Sequence, residues 1–429
     1  MREPVHPSLP LKRLGAVPDE LAMLVETVTW DVARGWEPTL PCPDDRIALV
    51  LVFGAHPGGS STGGSATGDN GALVNEAADS AMAEALSTLS ARWDGHAVLG
   101  CSTPGQVGTS SEPALVVVVT RFEHTELRWC HVDVARAGGA RLASREIAEH
   151  LAGDDLRGVL CIGDGEAING AALAAGFAEH LPGVPLSGGL AGDGVAMERS
   201  WSLVDGARAA GQVSAVGFFG DHIELGFGAA GGWDVFGPER LITQSYGSVL
   251  YELDGKPALP LYREYLGGAA EELPGSAIGY PMAIRDLENR TVIRTIWGVN
   301  PATESLRFAG EVPQGSIAQL LRASPDRLIN GAHAAASDAT TGGEELAIVV
   351  SCVGRRMVLG ERSSEEIDAA LEALADDVQL VGFYSASSLA PAIGGSNVHN
   401  QTMAITTVRE HSSPRFASLV PGDVGAERT

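Results

Sequence analysis

The chain has 429 residues, enough for two or three domains at roughly 150 residues each and for a core that needs no disulfide or metal staple. Its 54 acidic residues against 29 basic ones leave a formal net charge of −25, which excludes broad-surface binding to nucleic acid or an anionic membrane, whose phosphates such a surface repels. Only Lys12 and Lys256 are lysines, so any positive pocket is built from arginine.

Uninterrupted apolar runs such as residues 114–119 are far below the ~18–20 residues of a bilayer span. Prolines and acids occupy the first thirty residues, where a signal peptide needs a continuous apolar stretch. Five widely spaced cysteines (Cys42, Cys101, Cys130, Cys161, Cys352) with no CxxC make neither a disulfide framework nor a thiolate zinc site. The expected location is the cytosol.

In chain order, residues 1–45 read as an N-terminal extension with one helical pattern over 19–36. A continuous apolar run at 47–53 predicts a strand buried on both faces. The tract PGGSSTGGSATGDNG at 57–71 reads as a flexible loop, with Asn70 capping the helix that follows. Val74, Ala78, Met82, Ala85, Leu86 and Leu89 give that helix its apolar stripe. Strands are expected at 97–100, 114–120, 126–134, 158–162, 201–204, 213–219 and 222–227, with helices at 141–151 and 167–181. Neighbouring strands in sequence imply antiparallel pairing and hence mixed sheets.

A second half starts near 241. Pro257 suits the first turn of a helix reaching 266. A strand at 291–297, a helix from 317 and a strand at 346–352 follow. Ser363 and Glu366 form a capping box for a helix carrying Ile367, Leu371 and Leu374. The last strands are 378–384 and 402–408, and the tail from 412 lacks periodicity. No internal repeat is evident.

Chemistry is sparse. The GxSxG match at 59–63 lies inside the glycine/serine tract, where composition alone produces it. Gly163-Asp164-Gly165 ends a strand but lacks the spacing of a dinucleotide fingerprint, which leaves a tight turn. GCSTPG at 100–105 sets Cys101, Ser102 and Thr103 at a strand end; it reads as a turn, a ligand contact, or a nucleophile that needs a base. SGGLAGDG at 187–194, with Gly188, Gly189 and Asp193, is either a nest of backbone N–H groups for an anion or a close-packed connection. Tyr384, Asn400 and Gln401 gather polar groups that suit recognition of an amino acid or amide. Eleven histidines show no zinc spacing, although a single one can hold a haem iron.

These blocks, in order, resemble the FIST domain, in its N- and C-terminal modules. GCSTPG is similar to the family's GCST block and SGGLAGDG to its GG-x-AGD block. VLYELDGKPALPLYREYL at 249–266 resembles its YELDG segment, and SCVGR at 351–355 its C-x-GR block. GFYS at 382–385 and HNQTM at 399–403 resemble the closing motifs. The resemblance implies a stand-alone FIST protein with a sensory, small-ligand role. The partner would be a separate histidine kinase or cyclic-dinucleotide enzyme. Some bacterial members are haem sensors of nitric oxide, so haem is an implied alternative cofactor. After GFYS the family continues Tyr-Gly-Glu, whereas Ala386-Ser387-Ser388 stand here and remove a ring and a carboxylate.

The expected fold is α/β (α+β), with mixed sheets covered by helices in a layered αββα-like arrangement. The expected modules are 46–240 and 241–411, after the 1–45 extension and before a tail at 412–429. The expected function is a non-enzymatic cytosolic sensor of an amino acid or small carboxylate. Its site would comprise Cys101, Ser102, Thr103, Gly188, Gly189, Asp193, Arg355, Tyr384, Asn400 and Gln401. Arg355 would either grip a carboxylate through a bidentate fork or form an internal salt bridge. The alternatives are a haem sensor and a hydrolase or transferase using Cys101.

Overall fold

The computed structural model describes residues 23–55, 69–107, 113–192, 200–392 and 395–414. Its architecture follows from strands apolar on both faces. In Ile47–Ala55, Leu49, Leu51 and Phe53 point to one side and Ala48, Val50 and Val52 to the other. The same alternation recurs over residues 159–162 of Leu156–Gly163 and 346–350 of Leu346–Cys352, where odd and even positions enter different clusters. Leu49, Leu51, Phe53, Leu160, Ile162, Val216, Phe218, Leu346, Ile348 and Val350 therefore meet in one core between three sheets. Each such side chain contributes ~1.5–3 kcal/mol when fully buried.

Each sheet is then covered from outside by helices. Met82, Leu86, Leu89 and Trp93, on or just after Asp69–Arg92, pack on the first sheet. Ile147, Leu173 and Phe177 of Ala140–Leu151 and Gly170–His180 pack on the second. Ala332, Ala335 and Ala336 of Pro325–Ala339, with Ala370 of Ser363–Leu371, pack on the third. The fold is α+β with mixed sheets, as the alternation of strands and helices predicts.

The three sheets share one connectivity. The first strands are Met23–Asp31, Glu126–Asp133 and Ile223–Ala230; the second are Ile47–Ala55, Leu156–Gly163 and Leu346–Cys352. The third are Ala97–Thr103, Leu186–Leu190 and Gln379–Ser385; the fourth are Leu115–Phe122, Gln212–Phe219 and Met403–Glu410. In every sheet the second and third strands run parallel across a helical crossover. The fourth strand pairs antiparallel with both the second and the first, giving the order third-second-fourth-first. The chain is thus a threefold repeat of a four-stranded unit, although its sequence shows no repeat.

Between the first strand and the first helix of the third unit lies an eight-stranded sheet built from Asp234–Tyr246 to Ile317–Arg322. It has its own core, in which Leu259, Tyr262 and Leu266 of helix Ala258–Leu266 pack against Ile242, Leu250 and Ile284. The halves of the chain also exchange strands. Ser387–Ala392 and Gly395–His399 extend the second unit's sheet, and Gln106–Val107 pairs with Gln379–Ser385 of the third.

Several local expectations are corrected. The helical pattern at 19–36 is instead the strands Met23–Asp31 and Gly35–Glu37. Its β-branched run pairs antiparallel with Leu115–Phe122, and tertiary pairing overrides the helical spacing. The helix expected from 317 is the strand Ile317–Arg322, and the helix begins only at Pro325. Asn70, expected as a cap, falls within the helix Asp69–Arg92. The helix after 363 has no side-chain cap, because Glu366 turns into the protein. Residues 57–68 of the glycine/serine tract, including the GxSxG match, lie outside the described residues. Among those described, no helix is long and apolar enough to cross a membrane.

Candidate functional site

The three glycine-rich blocks occupy equivalent places, the ends of the three third strands. Gly100, Gly188 and Gly382 each face a register partner on the parallel second strand, Val52, Cys161 and Val349. A Cβ there would stand 2.6, 1.9 and 1.8 Å from the partner's carbonyl oxygen. These glycines are required for close backbone approach.

Beyond them the three units join in a ring. Gly192 N–H donates to the Ser102 carbonyl at 3.3 Å, and Ala386 N–H to the Leu190 carbonyl at 3.0 Å. The matching donor at the third junction is residue 104, a proline without an N–H. Thr103 takes its place: its hydroxyl lies 2.9 Å from the Tyr384 carbonyl oxygen and 2.6 Å from that of Gly105. It also accepts from Tyr384 N–H and Gly105 N–H, both at 3.1 Å. Ser102 Oγ in turn accepts from Trp201 N–H at 2.9 Å.

The expected site residues therefore divide. Ser102, Thr103 and Tyr384 hold the junctions; Gly188 and Gly189 are packing positions, the latter with a Cβ space only 2.6 Å from Val350. Asp193 lies outside the described residues. Cys101 is sealed in the three-sheet core, where burial pushes its thiol far above the ordinary range. No base touches it among the described residues, so the thiolate that nucleophilic chemistry requires is disfavoured.

Arg355, fully buried, forms the internal salt bridge. Its guanidinium meets Glu366 at 2.9 Å, with further bonds to the Leu328 carbonyl at 2.7 Å and to the Gly231 carbonyl. Glu366 also accepts from Tyr384 Oη at 3.0 Å and Ser351 Oγ at 3.2 Å. Burial and this neighbouring carboxylate push the tyrosine phenol up. Gln401 adopts a left-handed backbone at φ +59°; its carbonyl accepts from Trp233 Nε1 and its amide donates to the Ile278 carbonyl.

Of the expected site residues that are described, Asn400 alone lines the cavity that this geometry leaves open. The cavity has a volume of about 430 Å³ between the loop and helix start at 165–171 and the eight-stranded sheet. Trp297, Phe308, Arg294 and Glu311 form the sheet side, and Glu166 and Asn169 the loop side. Ala386 and Ser387, where the family's pattern carries Tyr-Gly, stand on its wall. Asn400 is buried, and its Oδ1 has no partner among the described residues. The turn at 163–165 shapes one edge: Asp164 is buried and accepts from Glu166 N–H, Ser200 Oγ and Gly211 N–H.

A second cavity of about 370 Å³ shares Arg294, Glu311, Val398 and Ala171 with the first. Sequence reasoning missed Arg294, Trp297 and Glu166; an arginine ending a four-residue strand carries no signal that separates it from a surface one. Beside these cavities, His399 is held neutral, its pKa lowered to about 4 by burial and then by the charge of Arg294.

Among the described residues, neither cavity is lined by histidine, cysteine, tyrosine or methionine, the side chains that hold haem iron. The described residues there do not fit haem.

Comparison with known families places residues 53–256 in the FIST N domain and residues 258–391 in the FIST C domain. No curated protein matches the chain.

Proposed function

The chain belongs to the FIST family, whose domains sense small ligands in signal-transduction proteins, and from that premise we propose that this protein is a cytosolic sensor of a small polar metabolite. The ligand is an amino acid or small carboxylate. It binds in the cavity between the second unit and the eight-stranded sheet, and the output passes to a separate protein, a histidine kinase or cyclic-dinucleotide enzyme.

One observation carries the reading. The cavity is a half-open cleft lined by both halves of the chain and mixes aromatic walls, Trp297 and Phe308, with polar groups, Asn169, Asn400, Ser248, Arg294, Glu166 and Glu311. Its volume of about 430 Å³ falls in the range of ~300–1,000 Å³ typical of ligand sites, which combine apolar walls with a few placed polar groups. A ligand there touches the second unit and the inserted sheet together, so occupancy alters how they are held.

The test is a thermal-shift panel of the amino acids and small carboxylates on the full chain, alongside Ala167→Trp. Ala167 is exposed at the rim of the cavity, so the indole fills it without entering the core. A ligand at a hundred times its Kd stabilises the folded state by ~2.7 kcal/mol. The reading predicts such a shift for at least one compound and its loss in Ala167→Trp. A panel without a shift, or a shift that Ala167→Trp retains, contradicts it.

A further inference from the structure

Three arginines are buried among the described residues, Arg121, Arg294 and Arg355. Two are neutralised: Arg121 pairs with Glu26 and with Asp44 at 3.5 Å, and Arg355 pairs with Glu366 at 2.9 Å. Arg294, only 7% exposed, makes no ion pair among the described residues. Its Nε donates to the Glu311 carbonyl at 3.3 Å, and its Nη1 to the carbonyls of Ile293 at 3.3 Å and Val398 at 3.1 Å. Its Nη2 bonds to no described residue, nor is it among the atoms sealed from solvent.

We propose that Arg294 is the anion anchor of the cavity: the ligand presents a carboxylate to this guanidinium, and uncharged analogues are rejected. The inference deepens the proposed function and rests on the cavity being the ligand site. A buried cation is costly unless paired, and among the described residues no carboxylate pairs with this one, although Glu311 lines the same cavity and its charge acts on it. The planar fork has its Nε and Nη1 donors on carbonyls, which leaves the two Nη2 N–H groups to donate to a carboxylate in charge-assisted hydrogen bonds.

The surroundings hold the group in place. Strand Thr291–Arg294 pairs with Met282–Arg285, and the guanidinium reaches across to Val398 on the hairpin of the second unit's sheet. Gly310 makes room for it, since a Cβ there would stand 2.8 Å from Arg294 Nε. Asn400, with its own unpartnered Oδ1, lines the same cavity. Burial lowers the Arg294 pKa to about 10 and the charge of Glu311 opposes this, so the group is a cation at neutral pH.

The test is calorimetric titration of the full chain with the twenty amino acids, succinate and 2-oxoglutarate, each compared with its carboxamide. Wild type, Arg294→Gln, Arg294→Lys and Ala167→Trp are run in parallel. The proposal predicts that an acid binds wild type about 10- to 100-fold more tightly than its carboxamide, with a similar loss in Arg294→Gln. Arg294→Lys keeps the charge without the fork and recovers part of the affinity. The denaturation midpoint of unliganded Arg294→Gln should match wild type or exceed it; a marked fall would assign the arginine to the scaffold. A carboxamide that binds as well as its acid, or an acid that binds Arg294→Gln unchanged, overturns the anchor. If that binding is lost in Ala167→Trp, the site stands and only the anchor fails. Should no probe bind, or Ala167→Trp leave binding intact, the site falls and the anchor with it.

Discussion

Thr103 replaces the N–H that Pro104 cannot supply, and Thr103→Val tests whether that substitution holds the ring of units together. Valine keeps the shape and removes the hydroxyl, which leaves Gly105 N–H without its acceptor and the Tyr384 carbonyl without its donor. Tyr384 N–H keeps a partner in the Gly105 carbonyl at 3.0 Å, so it does not count against the variant. Each orphaned buried group costs ~1–3 kcal/mol, so the expected loss is ~2–6 kcal/mol. An unfolding entropy of ~2.1 cal/mol/K per residue scales to ~0.9 kcal/mol/K for the whole chain, and the melting midpoint should fall by ~2–7 °C. Differential scanning calorimetry and urea titration measure this. Thr103→Ser restores the hydroxyl and should recover most of the loss. A Thr103→Val protein within ~0.5 kcal/mol of wild type, or a serine variant no better than valine, refutes the reasoning.

Further predictions follow from the same geometry. Glu366→Ala leaves Arg355 buried and unpaired and should cost ~3–5 kcal/mol in urea titration, whereas Arg355→Met with Glu366→Leu should cost markedly less. Gly188→Ala, with φ at +121° and a Cβ 1.9 Å from the Cys161 carbonyl oxygen, forces backbone movement and should abolish soluble folded protein, read by circular dichroism. His399 binds a proton below about 4 when folded and near 6.5 when unfolded. The unfolded state therefore holds more protons between these values, and stability falls as pH drops through that window by up to ~1.4 kcal/mol per unit. His399→Gln should flatten this slope in denaturation curves at pH 4.5 and 6.5.

What the sequence revealed follows from how each element is buried. Ile47–Ala55, Leu156–Gly163 and Leu346–Cys352 were legible because both faces of each are apolar. Met23–Asp31 was not, since six of its nine residues are only half-buried and the three buried ones, Met23, Val28 and Trp30, do not alternate along the strand. The threefold repeat stayed hidden because it is a repeat of connectivity. Only Gly100, Gly188 and Gly382 mark it, through the lack of space at one strand position. The polar motif residues drew attention as a ligand site, but small residues at strand ends serve equally to let backbones meet. Thr103, Ser102 and Tyr384 are engaged there with other protein atoms. Arg294 was invisible because its meaning lies in burial without an ion pair among the described residues, and only the fold shows that.

The central claim is that the cavity at Arg294 holds a small carboxylate. A crystal structure of the full chain soaked with the acid that stabilises it most tests this directly. The account predicts density between Trp297, Phe308 and Asn400, with a carboxylate accepting from Arg294 Nη2. Density at any other site, or a ligand turned with its carboxylate away from Arg294, contradicts it.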